Sequence, residues 1–220
     1  MPRIARAVAV DFPHHVIQRG NNRAKVFFAV QTREKYLNLL KDYSRKYDVS
    51  IMAYCLMTNH VHLLVKPRQP ESLAKMMQGV SLCYTQHINK RYRKTGRLWE
   101  SRYYSCVVDE ESYLWVVARY IEQNPVRAGI LKKEENYPYS SAPAHILGET
   151  DDVLSESLFT EEEQKEYLDF LKTTPPGKEM TQIRQSTRSG RPLGDERFID
   201  KIVRLLNLDF TKRTPGRRGN

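Results

Sequence analysis

Two runs rich in strand-forming residues, separated by only two residues, constrain the fold of this chain more than any other feature. Residues 49–57 and 60–66 both have the composition of β-strands, and Thr58-Asn59 between them is a tight turn. Strands joined by so short a connection pair in an antiparallel fashion. We therefore predict a β-hairpin over residues 49–66.

Further elements flank this hairpin. A strand is predicted for residues 14–19, ended by the turn residues Gly20-Asn21-Asn22, and a helix for residues 32–47. After the hairpin we predict a helix over residues 72–92 and a strand over residues 98–108. The order β-α-β-β-α-β is that of the α+β, ferredoxin-like (split βαβ) fold, an antiparallel sheet with two helices on one face. That plan leaves the other sheet face free, and it serves many functions.

Charge divides the chain into three predicted segments. Residues 1–147 are basic and hold the elements described above. Residues 148–172 form an acidic helical connector, in which Thr160 and Glu163 form a capping box that begins a helix. Residues 173–220 form a basic C-terminal extension, which begins with a Pro-Pro-Gly linker and contains a further helix near residues 198–203.

Composition favours a polyanionic partner. The net charge is +10, and 13 tyrosines lie among the lysines and arginines, a mixture that suits single-stranded nucleic acid. Cys55, Cys83 and Cys106 are too scattered for a disulfide framework or a zinc site, so we expect reduced core thiols in a cytoplasmic protein. No apolar run reaches membrane length, and residues 1–10 lack the pattern of a secretion signal.

Two histidines on the second hairpin strand are candidate metal ligands. His60 and His62 are two residues apart, so a strand places both on one sheet face while Val61 points into the core on the other. Two imidazoles on one face can bind a divalent cation. Ordinary strand histidines show the same spacing, so the pair alone leaves both interpretations open.

A helix predicted over residues 112–124, ending before Pro125, offers partners for this pair. Tyr120 and Asn124 are four residues apart and share a helix face. If the helix crosses the histidine face, a metal held by two imidazoles and an amide oxygen keeps positions open for phosphate oxygens, and the phenol can attack phosphorus. By spacing alone, Tyr120 is equally compatible with an ordinary amphipathic helix.

Four segments in the same order resemble the HUH single-tyrosine transposases. One reads Met57-Thr58-Asn59-His60-Val61-His62-Leu63-Leu64, and another reads Tyr120-Ile121-Glu122-Gln123-Asn124-Pro125-Val126-Arg127-Ala128-Gly129. Residues 14–23 and 98–104 are similar to the first and fourth strand segments of that family. The resemblance, over residues 10–145, is to the branch called REP-associated tyrosine transposases (RAYTs). Thr58 stands where that family commonly has proline, which affects the turn more than the site.

This resemblance implies a bacterial, nucleoid-associated enzyme. It would cut and rejoin single-stranded DNA at hairpins like the repetitive extragenic palindromes, through a covalent 5′-phosphotyrosine link and with Mg²⁺ or Mn²⁺. Tyr120 is then the nucleophile, His60 and His62 are metal ligands, and the third ligand is Asn124, with Gln123 as the fallback. The implied protein is a monomer or homodimer with residues 1–147 as its catalytic domain, and it has no membrane partner and no small-molecule substrate.

Arginines near these motifs are candidate DNA contacts. They are Arg19, Arg23, Arg97 and Arg102, together with Arg191, which lies between a glycine and a proline and could enter an A·T minor groove. Two alternatives stay open: a non-catalytic hairpin DNA- or RNA-binding module on the same sheet, and a metal phosphodiesterase that forms no covalent adduct. A pure binding module has no need of two histidines and a tyrosine together.

Overall fold

A four-stranded antiparallel sheet forms the centre of the protein, whose computed structural model describes residues 8–173 and 176–209. The strands run in the order β2-β3-β1-β4. They are β1 (His14–Arg19), β2 (Val49–Met57), β3 (His60–Pro67) and β4 (Tyr104–Val107). The predicted hairpin is β2–β3, and the strand order is that of the ferredoxin-like fold. The predicted fold class is confirmed.

One face of the sheet carries the two helices of the split-βαβ plan, α1 (Val30–Lys46) and α2 (Ser72–Tyr92). Their apolar side chains pack on Val16, Val61 and Leu63 in one buried cluster. The two helices approach closely at Gly79, where an added Cβ would lie 2.0 Å from the ring of Tyr43. The glycine therefore permits this contact.

The second face of the sheet is covered as well, which the sequence-based plan did not predict. The helices there are α3 (Glu110–Glu122), α4 (Asn124–Arg127), α5 (Ala142–Leu147), α6 (Gln164–Lys172) and α7 (Gly177–Ser189). Val117 of α3, Leu171 of α6 and Ile183 of α7 join Cys55 and Leu64 of the sheet in one buried cluster. The helix expected to cross the histidine face does so, and helices from the C-terminal third pack beside it.

The fourth strand is shorter than predicted. Residues 98–108 were expected to form one strand, whereas β4 begins only at Tyr104 because the chain bends at Ser101 and Arg102. The preceding residues still follow the end of β1: the amide of Glu100 donates to the carbonyl of Arg19 at 2.9 Å. The bend interrupts the hydrogen-bond ladder between β1 and β4, but the residues before the bend stay paired with the end of β1.

The tyrosine helix also differs from its predicted bounds of residues 112–124. It begins at Glu110, because the Asp109 side chain accepts from the Glu111 amide as an N-cap. It ends at Glu122, and Pro125 falls in the first turn of α4, where its missing N–H costs nothing.

The C-terminal third is attached to the sheet at several points. The predicted capping box forms between Thr160 and Glu163, just before α6. Leu193 makes a parallel bridge to Val108, next to β4, and α8 (Glu196–Leu205) follows where a helix was expected. Residues 174 and 175 of the predicted linker and the basic residues 212–218 lie outside the described residues. The division at residues 147 and 172 stays a prediction.

Two further observations concern composition. Cys55, Cys83 and Cys106 are free thiols, the first and last of them buried. Within residues 8–173 and 176–209, no helix combines the length and apolar character needed to cross a membrane.

Candidate active site

Three histidine rings meet on the sheet face below α3. His60 and His62 project from the same side of β3, with ring centroids 4.9 Å apart. His15 of β1 lies edge to edge with His62 in nearly the same plane, with centroids 5.3 Å apart and an interplanar angle of 8°. Sequence reasoning missed His15 as a site residue. Its signal was the His14-His15 pair that opens β1, because alternation puts one of two neighbouring residues on the site face.

Tyr120 of α3 stands edge-on to two of these rings. Its ring centroid lies 5.6 Å from that of His62 and 5.7 Å from that of His15. Only 6% of Tyr120 is exposed. The structure therefore brings together the tyrosine and the histidine pair singled out in the sequence.

A chain of hydrogen bonds sets the proton position on His62. The Thr187 hydroxyl lies 2.8 Å from the carbonyl of Ile183 and 2.8 Å from Nδ1 of His15. Since two oxygens at that distance repel unless a proton lies between them, the hydroxyl donates to Ile183 and accepts from His15 Nδ1. Nε2 of His15 is then an acceptor, and Nδ1 of His62, 3.0 Å away, donates to it. This leaves Nε2 of His62 with a free lone pair.

His60 is oriented by its own neighbour. Its Nδ1 lies 2.7 Å from the side-chain oxygen of Asn59, which can only accept, so Nε2 of His60 is also unprotonated. Burial, and then the charge of Arg19, lower the pKa of His60 to about 4. Burial, with the neighbouring His60, holds the pKa of His62 well below its ordinary value. Both rings are therefore neutral at pH 7.

These features fit a metal ligand pair. Metal-binding histidines are neutral and have their second ring nitrogen held by a hydrogen-bond partner, as His60 and His62 do. In the described ranges, no group of three or more His, Cys, Asp or Glu side chains is placed to hold a metal ion. A side-chain amide is the predicted third ligand of a metal at this pair.

The two candidate amides differ in their surroundings. Nδ2 of Asn124 donates to the carbonyls of Tyr120 and Ile121, both at 3.0 Å, which leaves its Oδ1 as the atom available to a cation. Nε2 of Gln123 donates instead to Glu134 and to the carbonyl of Leu171. Both amides thus donate from their nitrogen, and Asn124, with Gln123 as the fallback, stays the predicted third ligand.

Two arginines that sequence reasoning did not assign to the site flank Tyr120. The guanidinium carbon of Arg127 lies 4.5 Å from the Tyr120 ring centroid, and its Nη2 donates to the Tyr120 carbonyl at 2.6 Å. From α7, Nε of Arg184 donates to the Tyr120 hydroxyl at 3.4 Å. Arg127 was visible in the tyrosine motif, whereas Arg184 lies 64 residues away from Tyr120 with no sequence signal linking the two.

The sequence profile of the family described as "Transposase IS200 like" matches residues 9–124, which span β1 to the end of α3. This match includes all of the sheet, both histidines and Tyr120. The chain belongs to the IS200-like transposase family. Members of this family are DNA-cleaving and DNA-joining enzymes and generally depend on a divalent metal ion.

Two relatives agree with this assignment. A Haemophilus influenzae protein, provisionally named a REP-associated tyrosine transposase, is 23% identical over 145 residues, which cover 56% of this chain and 82% of that protein. The solved structure of a REP-associated tyrosine transposase bound to a REP hairpin has a TM-score of 0.58 and 15% identity. That likeness covers 73% of this chain and 94% of the solved one, and it supports the fold. The resemblance to RAYTs is thereby confirmed.

The arginines predicted to contact DNA in this IS200-like transposase lie mainly on its surface. Arg19 is opposite His60 in the β1–β3 pairing and forms an ion pair of 2.7 Å with Glu100. Arg23, Arg97 and Arg102 are exposed, and so is Arg191 beyond the end of α7. Their role in DNA binding stays a prediction.

Proposed function

We propose that this IS200-like transposase cleaves and rejoins single-stranded DNA at hairpin sequences, with Tyr120 as its nucleophile. The observation that carries the proposal is the contact of the Tyr120 ring with the rings of His15 and His62. A nucleophilic phenol has to lie beside the groups that activate the phosphate. In this fold, α3 supplies the phenol and β3 supplies the candidate metal ligands.

The reaction exchanges one phosphate ester for another. The Tyr120 oxygen forms a bond to phosphorus, and the bond from phosphorus to the 3′ oxygen of the upstream nucleotide breaks. The phenolic proton leaves to solvent, and the departing 3′ oxygen takes up a proton from solvent. The products are a 5′-phosphotyrosine on the downstream strand and a free 3′-hydroxyl on the upstream strand. Attack by a 3′-hydroxyl on the phosphotyrosine rejoins DNA and restores Tyr120.

The chain's own residues have separate tasks in this step. His60 and His62, with Asn124, would hold Mg²⁺ or Mn²⁺. The metal, when bound, supplies neutralisation of charge on the phosphate oxygens. The Nε–H of Arg184, which donates to the Tyr120 hydroxyl, stabilises the phenolate as the proton leaves.

The proposed substrate is a hairpin like a repetitive extragenic palindrome. The solved relative is bound to a REP hairpin, and this chain carries a net charge of +10. Arg19, Arg23, Arg97, Arg102 and Arg191 are the proposed phosphate or groove contacts. We further propose that the protein works in the bacterial cytoplasm, at the nucleoid, as a monomer or a homodimer.

A denaturing gel with end-labelled hairpin DNA and Mn²⁺ tests the proposal. The downstream fragment carries the 5′-phosphotyrosine, so a 3′-end label should shift with the protein while a 5′-end label is released as a shorter strand. Tyr120→Phe keeps the ring packing but removes the attacking oxygen. We expect this variant to bind the hairpin within about twofold of the wild type and to give no covalent band.

Tyr113→Phe is the matched control, because Tyr113 lies on the same helix and its hydroxyl donates to Gln182. This variant should keep the covalent band. A covalent band from Tyr120→Phe would show that another side chain is the nucleophile.

One observation favours the second candidate function, a hairpin-binding protein that does not cleave. Tyr120 is only 6% exposed, and Arg184 of α7 reaches its hydroxyl. A buried phenol is harder for a DNA phosphate to reach than an exposed one. Tight hairpin binding by the wild type, with neither a covalent band nor a released strand in Mg²⁺ or Mn²⁺, would establish this second function.

A further inference from the structure

Arg127 and Arg184 form a pair of positive charges that the fold does not neutralise. Three other arginines have acidic partners: Arg19 pairs with Glu100, Arg68 with Asp11 and Glu156, and Arg119 with Glu179. In the described part of the chain, neither Arg127 nor Arg184 takes part in an ion pair. The groups that they contact are the ring, the carbonyl and the hydroxyl of Tyr120.

Of the two arginines, Arg127 is the more costly to leave without an anionic partner, because part of its guanidinium is buried. Its Nη1 atom is buried and has no hydrogen-bond partner, although Nη2 donates to the Tyr120 carbonyl. Burial, and the nearby charge of Arg184, lower the pKa of Arg127. A buried charged donor without a partner is costly, and a ligand that accepts a hydrogen bond from it removes that cost.

A purely structural role explains only part of this arrangement. The bond from Nη2 to the Tyr120 carbonyl satisfies a group at the C-terminal end of α3 and suits the helix dipole. That role needs one donor. It leaves Nη1 without a function, and it does not account for a second guanidinium placed on the hydroxyl of the same tyrosine.

We propose that Arg127 and Arg184 bind the negatively charged oxygens of the phosphodiester that Tyr120 attacks. A phosphorus atom within attack distance of Oη lies about 3–3.5 Å from it. Nε of Arg184 is 3.4 Å from the same oxygen, so a phosphate there is within reach of the Arg184 guanidinium. Arg127 supplies the second contact through Nη1. Planar guanidinium groups with several donors match phosphate oxygens.

This inference rests on the proposed function, in which Tyr120 attacks DNA, but it makes a separate statement about binding. The two arginines recognise the charge of one phosphate, whether or not the phosphate is cleaved. Their action should therefore be measurable in a protein that cannot cleave. The Tyr120→Phe variant provides that background.

The experiment replaces single phosphodiesters of a hairpin oligonucleotide with neutral methylphosphonates, one linkage at a time. Binding to the Tyr120→Phe protein is measured for each oligonucleotide. We expect one linkage in the single-stranded flank at which neutralisation weakens binding about tenfold, as loss of a charge-assisted hydrogen bond would. Adding Arg184→Gln, or separately Arg127→Gln, should reduce that loss to less than about threefold.

Lys178→Gln is the matched control, because it removes one positive charge from the start of the same helix, α7. It should leave the tenfold loss at that linkage unchanged. Arg184 is an exposed side chain, so Arg184→Gln tests the inference even if Arg127→Gln weakens the fold. A loss of equal size in the arginine variants and the Lys178→Gln control would overturn the proposal, as would the absence of any sensitive linkage.

Failure of the proposed function would look different. If the wild type cleaves no linkage but the arginine-dependent loss is found, the phosphate site stands and cleavage does not. If the sensitive linkage is the one that the wild type cleaves, both statements hold. If the wild type cleaves one linkage and the arginines recognise none, Tyr120 is the nucleophile and the phosphate contacts lie elsewhere.

Discussion

Thr187 controls His62 from a distance of two hydrogen bonds. Its hydroxyl, held on the Ile183 carbonyl, obliges His15 to donate from Nδ1 and so to accept from His62. Without that constraint the His15–His62 pair can carry its protons in the opposite order. Nε2 of His62 is then protonated and unable to bind a cation.

We predict that Thr187→Val lowers the affinity for Mn²⁺ by about tenfold, the usual effect of removing an outer hydrogen-bond partner of a metal-binding histidine. Valine has nearly the shape of threonine, so the packing at this buried position should persist. Isothermal titration of the purified protein with Mn²⁺ measures the change. Thr181→Val is the control, because its hydroxyl bonds only to the Gly177 carbonyl on the same helix and is exposed. Equal affinity in both variants would contradict the hydrogen-bond chain.

Residue-level reasoning found the parts of the site that have local patterns. His60 and His62 are two apart on a strand, and Tyr120 and Asn124 are four apart on a helix, so each pair has a spacing that can be recognised. The bond between His15 and Thr187 joins residues 172 positions apart, and nothing in either neighbourhood indicates the other. Contacts of that kind follow from the complete fold.

At the scale of elements, α7 is the longest helix that sequence reasoning missed. It begins at the glycine of a Pro-Pro-Gly sequence that indicates a linker, and its buried residues are only Ile183 and Thr187. So narrow an apolar stripe gives a weak periodic signal. The hairpin β2–β3, by contrast, is rich in apolar residues and interrupted only by a two-residue turn, and its bounds could be predicted almost to the residue.

We predict that α7, α8 and the segment between them stabilise the catalytic domain. A chain ending at Lys172 loses the buried side chains of Ile183, Leu193, Phe198 and Ile202. Each contributes about 1.5–3 kcal/mol, and the total is comparable with the stability of a whole domain. The melting temperature should fall by at least about 10 °C.

Circular dichroism on heating measures this effect, with a chain ending at Asp209 as the control. The control keeps α7 and α8 and should melt with the full chain. If the chain ending at Lys172 also melts within about 2 °C of the full chain, the segment after residue 172 is a separate unit, as the charge division predicted.

At the scale of the whole molecule, charge and packing give different divisions of the chain. The acidic connector and the basic extension differ in their solvated side chains, whereas Tyr167 of α6 and Ile183 of α7 belong to the same buried cluster as Tyr120. Charge patterns report what faces water. Which apolar faces meet is decided by their shapes in three dimensions, and a single sequence does not record that.

The buried histidines make the stability of the whole protein dependent on pH. Burial lowers the pKa of His14 to about 4 and that of His15 to about 3, and it lowers the pKa of His60 to about 4. In the unfolded chain these groups titrate near 6.5. Below pH 6.5 the unfolded state therefore binds more protons than the folded state, and the free energy of unfolding falls as the pH falls.

We predict a nearly constant free energy of unfolding above pH 7 and a decline from about pH 6.5 towards pH 4, in buffer that contains a metal chelator. The slope is up to about 1.4 kcal/mol per pH unit for each buried histidine. Urea titrations at a series of pH values measure it. His14→Gln is the informative variant, because His14 accepts from the Ala9 amide and bonds to the Phe12 carbonyl without touching His60 or His62. Glutamine can keep both bonds but does not titrate. The slope of the free energy of unfolding against pH should therefore decrease by up to about 1.4 kcal/mol per pH unit, the contribution of one proton. A free energy of unfolding that is the same at pH 7.5 and pH 5 would mean that these histidines are not held neutral by the fold.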